Sequence, residues 1–176
     1  SKEKPNDSLI SDIHIVHNEL TPLNKPYILS VKPFNLPHHL LIKALIVQVD
    51  KNNNLTAVGG NYTKGYVTAT VKKFGKFAIA LDSVPPQIIP ITFVNKKKYV
   101  ENQLISFKVM DNLSGISTYN GYIDGKWALF EYDPKKDLVF YKTDAARLAH
   151  DQLHHLELII TDNKNNISKF SGYFYF

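Results

Sequence analysis

The sequence predicts an all-β chain of two tandem antiparallel β-sandwich domains, the second immunoglobulin-like with about seven strands, and three observations carry that prediction. Short runs of alternating apolar and polar residues are separated throughout by Asn, Asp, Gly and Pro clusters, the pattern of half-buried strands joined by turns. Asp124-Gly125 lies between two strand-like runs, Gly121 to Ile123 and Lys126 to Tyr132, and Asp-Gly suits a type I′ hairpin turn because both central residues need φ > 0. Pro85-Pro86 separates the runs into two sets, since a double proline holds an extended connector and cannot continue a ladder.

In chain order, Ile13 to His17 reads as an edge strand broken by Thr21-Pro22, and Tyr27 to Val31 as a second strand ended by Lys32-Pro33. Asn35 to His39 contains a further proline and reads as loop. Leu40 to Val49 is the most apolar strand of this half, closed by the Asn-rich turn Asp50-Lys51-Asn52-Asn53-Asn54. Leu55 to Val58, a Gly59-Gly60-Asn61 turn, Tyr66 to Val71 and Lys76 to Leu81 complete six strands before Asp82. The domains expected are therefore 1–82 and 87–176, joined by the connector 83–86. The polar opening SKEKPNDS reads as a cut from a longer chain, leaving Ser1 to Ile13 as the remnant of a strand-bearing segment and the first domain truncated at its start.

After the connector, strands are expected at about 87–93, 103–110, 117–123, 126–132, 138–141, 153–161 and 167–175, the immunoglobulin-like number. Leu156, Leu158 and Ile160 share one face of the sixth against His155, Glu157 and Thr161, the pattern of a sheet with one wet side. Thr143 to Gln152 is the one segment with helical character.

Composition narrows the function classes. A hydrophobic fraction of 44% is enough for a real core, and 12% aromatic residues favour strands. The absence of cysteine excludes disulfides, thiolate zinc sites and a cysteine nucleophile. The net charge of +5 is concentrated in the first half, with ten Lys/Arg against six Asp/Glu up to Asp82. The one tight basic run, Lys96-Lys97-Lys98, reads as a solvated turn rather than a nucleic-acid patch. No nucleic acid and no membrane insertion are expected.

Chemistry-bearing residues are few. His150 and His154 have the i, i+4 spacing of a helical zinc pair, but the glutamate of a His-Glu-x-x-His motif is missing. His38-His39 follows a proline with no third ligand in view, and His14 and His17 point to opposite faces of a strand. Asp111 and Asp162 offer loop oxygens for calcium, yet without the alternating carboxylate spacing of a dedicated loop; Asp and Asn at turns ordinarily bond their own backbone. Glu131 and Asp133 read as a solvated strand edge. Tyr119, Tyr122, Trp127, Tyr132 and Tyr141 are the candidate binding face for a glycan, a peptide or an adhesion partner, against which stands the commoner role of a sandwich tryptophan, core packing. No catalytic residue is identified.

Several segments, taken in order, also carry a family resemblance: His17 to Leu23, Lys43 to Val47, Gly59 to Tyr62, Gly65 to Val67, Phe74 to Phe77, Asp82 to Pro86, Asp111 to Ile116, Asn120 to Trp127 and Thr161-Asp162. Together they resemble the C-terminal region of large lysostaphin-type zinc metallopeptidases of Bacteroidetes, secreted cell-wall hydrolases whose β-sandwich modules follow a peptidase domain. The His-x-x-x-Asp and His-x-His zinc segments of that family are missing from this sequence. The resemblance implies a non-catalytic accessory module, extracytoplasmic in the periplasm or cell envelope, with zinc confined to the peptidase domain. Its implied partners are the upstream domains of the same polypeptide, and peptidoglycan or a surface protein. The helix-like Thr143 to Gln152 departs from the short glycine-containing link expected there.

Overall fold

The computed structural model describes residues 9–176 in full and residues 2–3 as backbone; the rest of the polar opening, residues 1 and 4–8, lies outside the described residues. The chain is all-β and divides into two compact units, Ser1–Ser83 and Val84–Phe176. Among the described residues no helix is long and apolar enough to cross a membrane.

The first unit contains β1 (Lys2–Glu3), β2 (Ile13–Val16), β3 (Tyr27–Val31), the one-turn α1 (His38–Leu41), β4 (Ala44–Val49), β5 (Leu55–Gly59), β6 (Asn61–Thr63), β7 (Tyr66–Val71) and β8 (Gly75–Leu81). Two antiparallel sheets result, ordered β1-β2-β8-β4-β5 and β3-β7-β6. Val31, Val67, Ala69 and Val71 of the smaller sheet pack on Ala44, Ile46, Phe77 and Ile79 of the larger one. This is a sandwich core built from alternate residues of two facing sheets.

Two sequence expectations change here. Leu40 does not begin a strand: the Pro37 carbonyl accepts the N–H groups of Leu40 and Leu41, closing the turn of α1, so the strand starts at Ala44. Gly59-Gly60-Asn61 is not a simple turn either. Gly59 and Gly60 both have positive φ, +97° and +99°, and there the chain leaves the first sheet and enters the second as β6. A Cβ at Gly60 would sit 2.5 Å from the Thr68 carbonyl oxygen, so the crossing needs glycine.

The second unit runs β9 (Gln87–Pro90), β10 (Leu104–Met110), β11 (Ile116–Ile123), β12 (Lys126–Ala128), β13 (Glu131–Asp133), β14 (Leu138–Lys142), β15 (Leu153–Asp162) and β16 (Ile167–Tyr175). Its sheets are ordered β13-β14-β10-β9 and β12-β11-β15-β16. In immunoglobulin nomenclature this is D-E-B-A packed on C′-C-F-G, the Greek-key arrangement of that fold. Asp124 and Gly125 have φ of +51° and +74°, as the I′ hairpin turn between β11 and β12 requires.

The strand expected at 126–132 is two strands. β12 pairs with β11 in one sheet and β13 with β14 in the other, so the chain changes sheets at Leu129-Phe130. Phe130, 4% exposed, turns inward over Gly121, whose missing side chain makes the room: a Cβ there would land inside the phenyl ring. The core joins Phe93, Ile105, Phe107, Val109 and Val139 to Leu156, Leu158, Ile160 and Phe174.

The helix expected at Thr143 to Gln152 does not form. Asp144 closes a single turn, its carbonyl accepting from Arg147 and Leu148 and its carboxylate from Ala146 N–H, and the segment then proceeds as irregular turns to β15. One turn cannot offset the cost of helix nucleation without an apolar face to pack, and Leu148 is the one apolar residue of the segment that is buried.

Candidate functional site

The residues singled out for chemistry are held mostly by their own loops. Asp162 Oδ1 accepts the N–H groups of Lys164 (2.7 Å) and Asn166 (2.8 Å), while Oδ2 accepts from Asn166 Nδ2 (2.6 Å). Asp50 in the first unit makes the same set: Oδ1 with Asn52 and Asn54 N–H, each at 2.8 Å, and Oδ2 with Asn54 Nδ2 at 2.8 Å. Both turns place their fourth residue, Asn53 or Asn165, at positive φ. Asp-x-x-x-Asn is thus one turn device used twice, and these bonds hold the Asp50 carboxyl below the usual carboxylate range.

Asp111 Oδ2 accepts from Leu113 N–H (3.1 Å) and Gly115 N–H (2.7 Å), and Asn163 Nδ2 ties the neighbouring loop to the Ser114 carbonyl oxygen at 2.8 Å. Asp111 and Asp162 therefore do come together, with carboxylate oxygens within 4.8 Å. The turn chemistry read from the sequence accounts for three of their four oxygens, and Asp111 Oδ1 is buried without a hydrogen bond.

His150 and His154 do not form a chelating pair. His154 is 4% exposed on β15, its Nδ1 2.7 Å from Asp124 Oδ2 and its Nε2 2.9 Å from the Ala149 carbonyl oxygen. Both partners only accept, so an imidazolium satisfies both and a neutral ring only one. The His150 ring stacks instead on Phe176, 4.9 Å between centroids. The spacing fails because the helix that would align the two rings is not there.

Asp124 is the hub of this corner. Its carboxylate accepts from His154 and from the His155 N–H (2.8 Å), fixing the hairpin turn to β15. Partial burial pushes its carboxyl up, but the His154 hydrogen bond, the His155 N–H and the two imidazoles outweigh it, and it lies below the usual carboxylate range. Beside the turn a cleft of about 290 Å³ opens at the β12 edge, lined by Ile123, Lys126, Trp127, Tyr141 and Arg147.

The aromatic set divides between different environments rather than forming one face. Tyr141 is 3% exposed and packs on Phe130 in the core, and that burial pushes its hydroxyl pKa up. Tyr119 and Tyr132 meet each other at 5.5 Å, from β11 and β13 in opposite sheets. Tyr122 and Trp127 stand directly opposite each other across β11 and β12. Trp127 is 61% exposed, so core packing is not its role. The reason is position: a core tryptophan of this fold sits on strand C, whereas Trp127 is on the C′ edge strand and Phe130 fills the interior beside it. Of Lys96-Lys97-Lys98 only Lys96 lies in a turn; Lys97 and Lys98 run beside Tyr175 at the end of β16, with Lys98 paired to Asp151 at 2.6 Å and Lys97 5.1 Å from the Tyr99 ring centre.

Fold and geometry define the chain as a pair of β-sandwich modules. A family model described as a Zu5-like domain matches residues 1–82. Among solved structures the chain is similar to the fibronectin(III)-like modules of Clostridium thermocellum CbhA, at 12% sequence identity, covering 84% of each chain with a TM-score of 0.38. No curated protein matches it.

Proposed function

We propose that this chain is a non-catalytic accessory module of a secreted cell-wall metallopeptidase, two sandwiches that position or restrain a peptidase domain elsewhere in the polypeptide. The observation that supports this reading is the employment of its acids and imidazoles. Asp50, Asp111, Asp162, Asp124 and His154 are engaged in closing turns and joining strands, the work of a scaffold. A proline-held link between two sandwiches, each with its own core, is a low-entropy spacer. In this reading zinc belongs to the peptidase domain alone, and the module works in the periplasm or cell envelope. The test is a pull-down of the chain against the upstream region of its parent polypeptide and against purified peptidoglycan, at low and high salt. Salt-resistant capture of the upstream region is the expected result; no capture of either at any salt overturns the reading.

A further inference from the structure

We propose that the outer face of the β12-β11-β15-β16 sheet is a binding platform for a linear, uncharged saccharide, with Trp127 as its stacking anchor. The register builds the platform. Trp127 stands opposite Tyr122, Tyr122 opposite Glu157, and Glu157 opposite Ser171, so these four side chains form one row across four strands on the same side of the sheet. With strands about 4.8 Å apart the row spans roughly 14 Å. Each interstrand step is about the length of one pyranose ring. In the adjacent row His155 faces Tyr173, their rings 4.8 Å apart, and His155 Nε2 bonds Ser171 Oγ at 2.7 Å, which fixes the polar end of the platform.

The chemistry of the face selects the occupant. A pyranose offers a C–H surface that stacks on an aromatic ring and a rim of hydroxyls that needs hydrogen-bond partners, and the row offers two rings followed by a carboxylate and a hydroxyl. Trp127 at 61% and Tyr173 at 44% exposure are large rings left in water, although Phe130 has already completed the core beside β12. Charge argues against a polyanion: Glu157 stands on this face, and the Lys169 of β16, on the next row opposite Ile159, balances it rather than making the face basic. A protein partner would want a contiguous apolar centre, whereas here Glu157 and Ser171 follow directly on the Trp127–Tyr122 pair in the row and interrupt it.

This inference stands apart from the scaffold reading, because its probes carry no peptide and need no peptidase. Trp127 is the only tryptophan, so tryptophan emission, excited at the red edge where tyrosine does not absorb, reports this face alone. The chain is titrated with β-1,4-linked hexasaccharides of glucose and of N-acetylglucosamine, with an oligogalacturonate as the acidic counterpart. A saturable emission change with a neutral hexasaccharide is expected, weakened at least tenfold by Tyr122→Ala and by Glu157→Gln. By calorimetry, Trp127→Ala abolishes binding without changing the melting temperature. No response to either neutral probe at millimolar concentration, a preference for the acidic one, undiminished binding by Trp127→Ala, or an emission change that tracks protein concentration alone would each overturn the proposal.

Discussion

At the scale of single residues, burial decides which of two identical bonding patterns matters more. Asp162 is 1% exposed and Asp50 is exposed, yet each accepts the same three hydrogen bonds from its turn. Replacing a buried acceptor leaves donors dry, whereas water replaces an exposed one. Asp162→Ala is therefore expected to cost about 3 kcal/mol and Asp50→Ala clearly less, read from urea unfolding of the two variants. The Asp124–His154 pair makes a prediction in pH. Because the Asp124 carboxyl is lower in the folded chain than its ordinary 3.8, its contribution is complete above that value and is lost as pH falls through the lower folded value. The acid limb of a melting-temperature profile, below about pH 4, should be shallower in Asp124→Asn than in the parent.

At the scale of elements, Phe130 and Gly121 act as one lock. The ring closes the sandwich where the chain passes from β12 to β13, and it fits because position 121 has no side chain. Phe130→Ala should cost about 3 to 5 kcal/mol, and Gly121→Ala about 1 to 3 kcal/mol by overpacking. Chemical unfolding measures both. Much at this scale was legible in the sequence. Tyr27–Val31 and Tyr66–Val71 are strands at the bounds their alternation predicts, and Asp124-Gly125 adopts the predicted turn. What was not legible is sheet membership. The run from Lys126 to Tyr132 has the composition of one strand, and only the inward turn of Phe130, a tertiary event, divides it. Likewise Ala145-Ala146-Arg147-Leu148 carries helix propensity that a single capped turn cannot realise. The aromatic set was found by residue type, but its partition between core and surface follows from strand register, which the sequence leaves open. His155, Glu157, Ser171 and Tyr173 were not linked to Trp127 from sequence for the same reason; their outward alternation on two strands was the available signal.

At the scale of the molecule, each unit has its own two sheets and its own core. Residues 84–176 expressed alone should therefore fold, with a cooperative thermal transition and the dispersed amide spectrum of a β-sandwich. A broad, non-cooperative transition would contradict that expectation. The scaffold reading itself is tested most directly by release of soluble fragments from dye-labelled peptidoglycan by the purified chain, with added zinc and with chelator in parallel. No release above the blank is expected in either arm. Zinc-dependent release that the chelator abolishes would contradict it, placing a hydrolytic centre within these 176 residues.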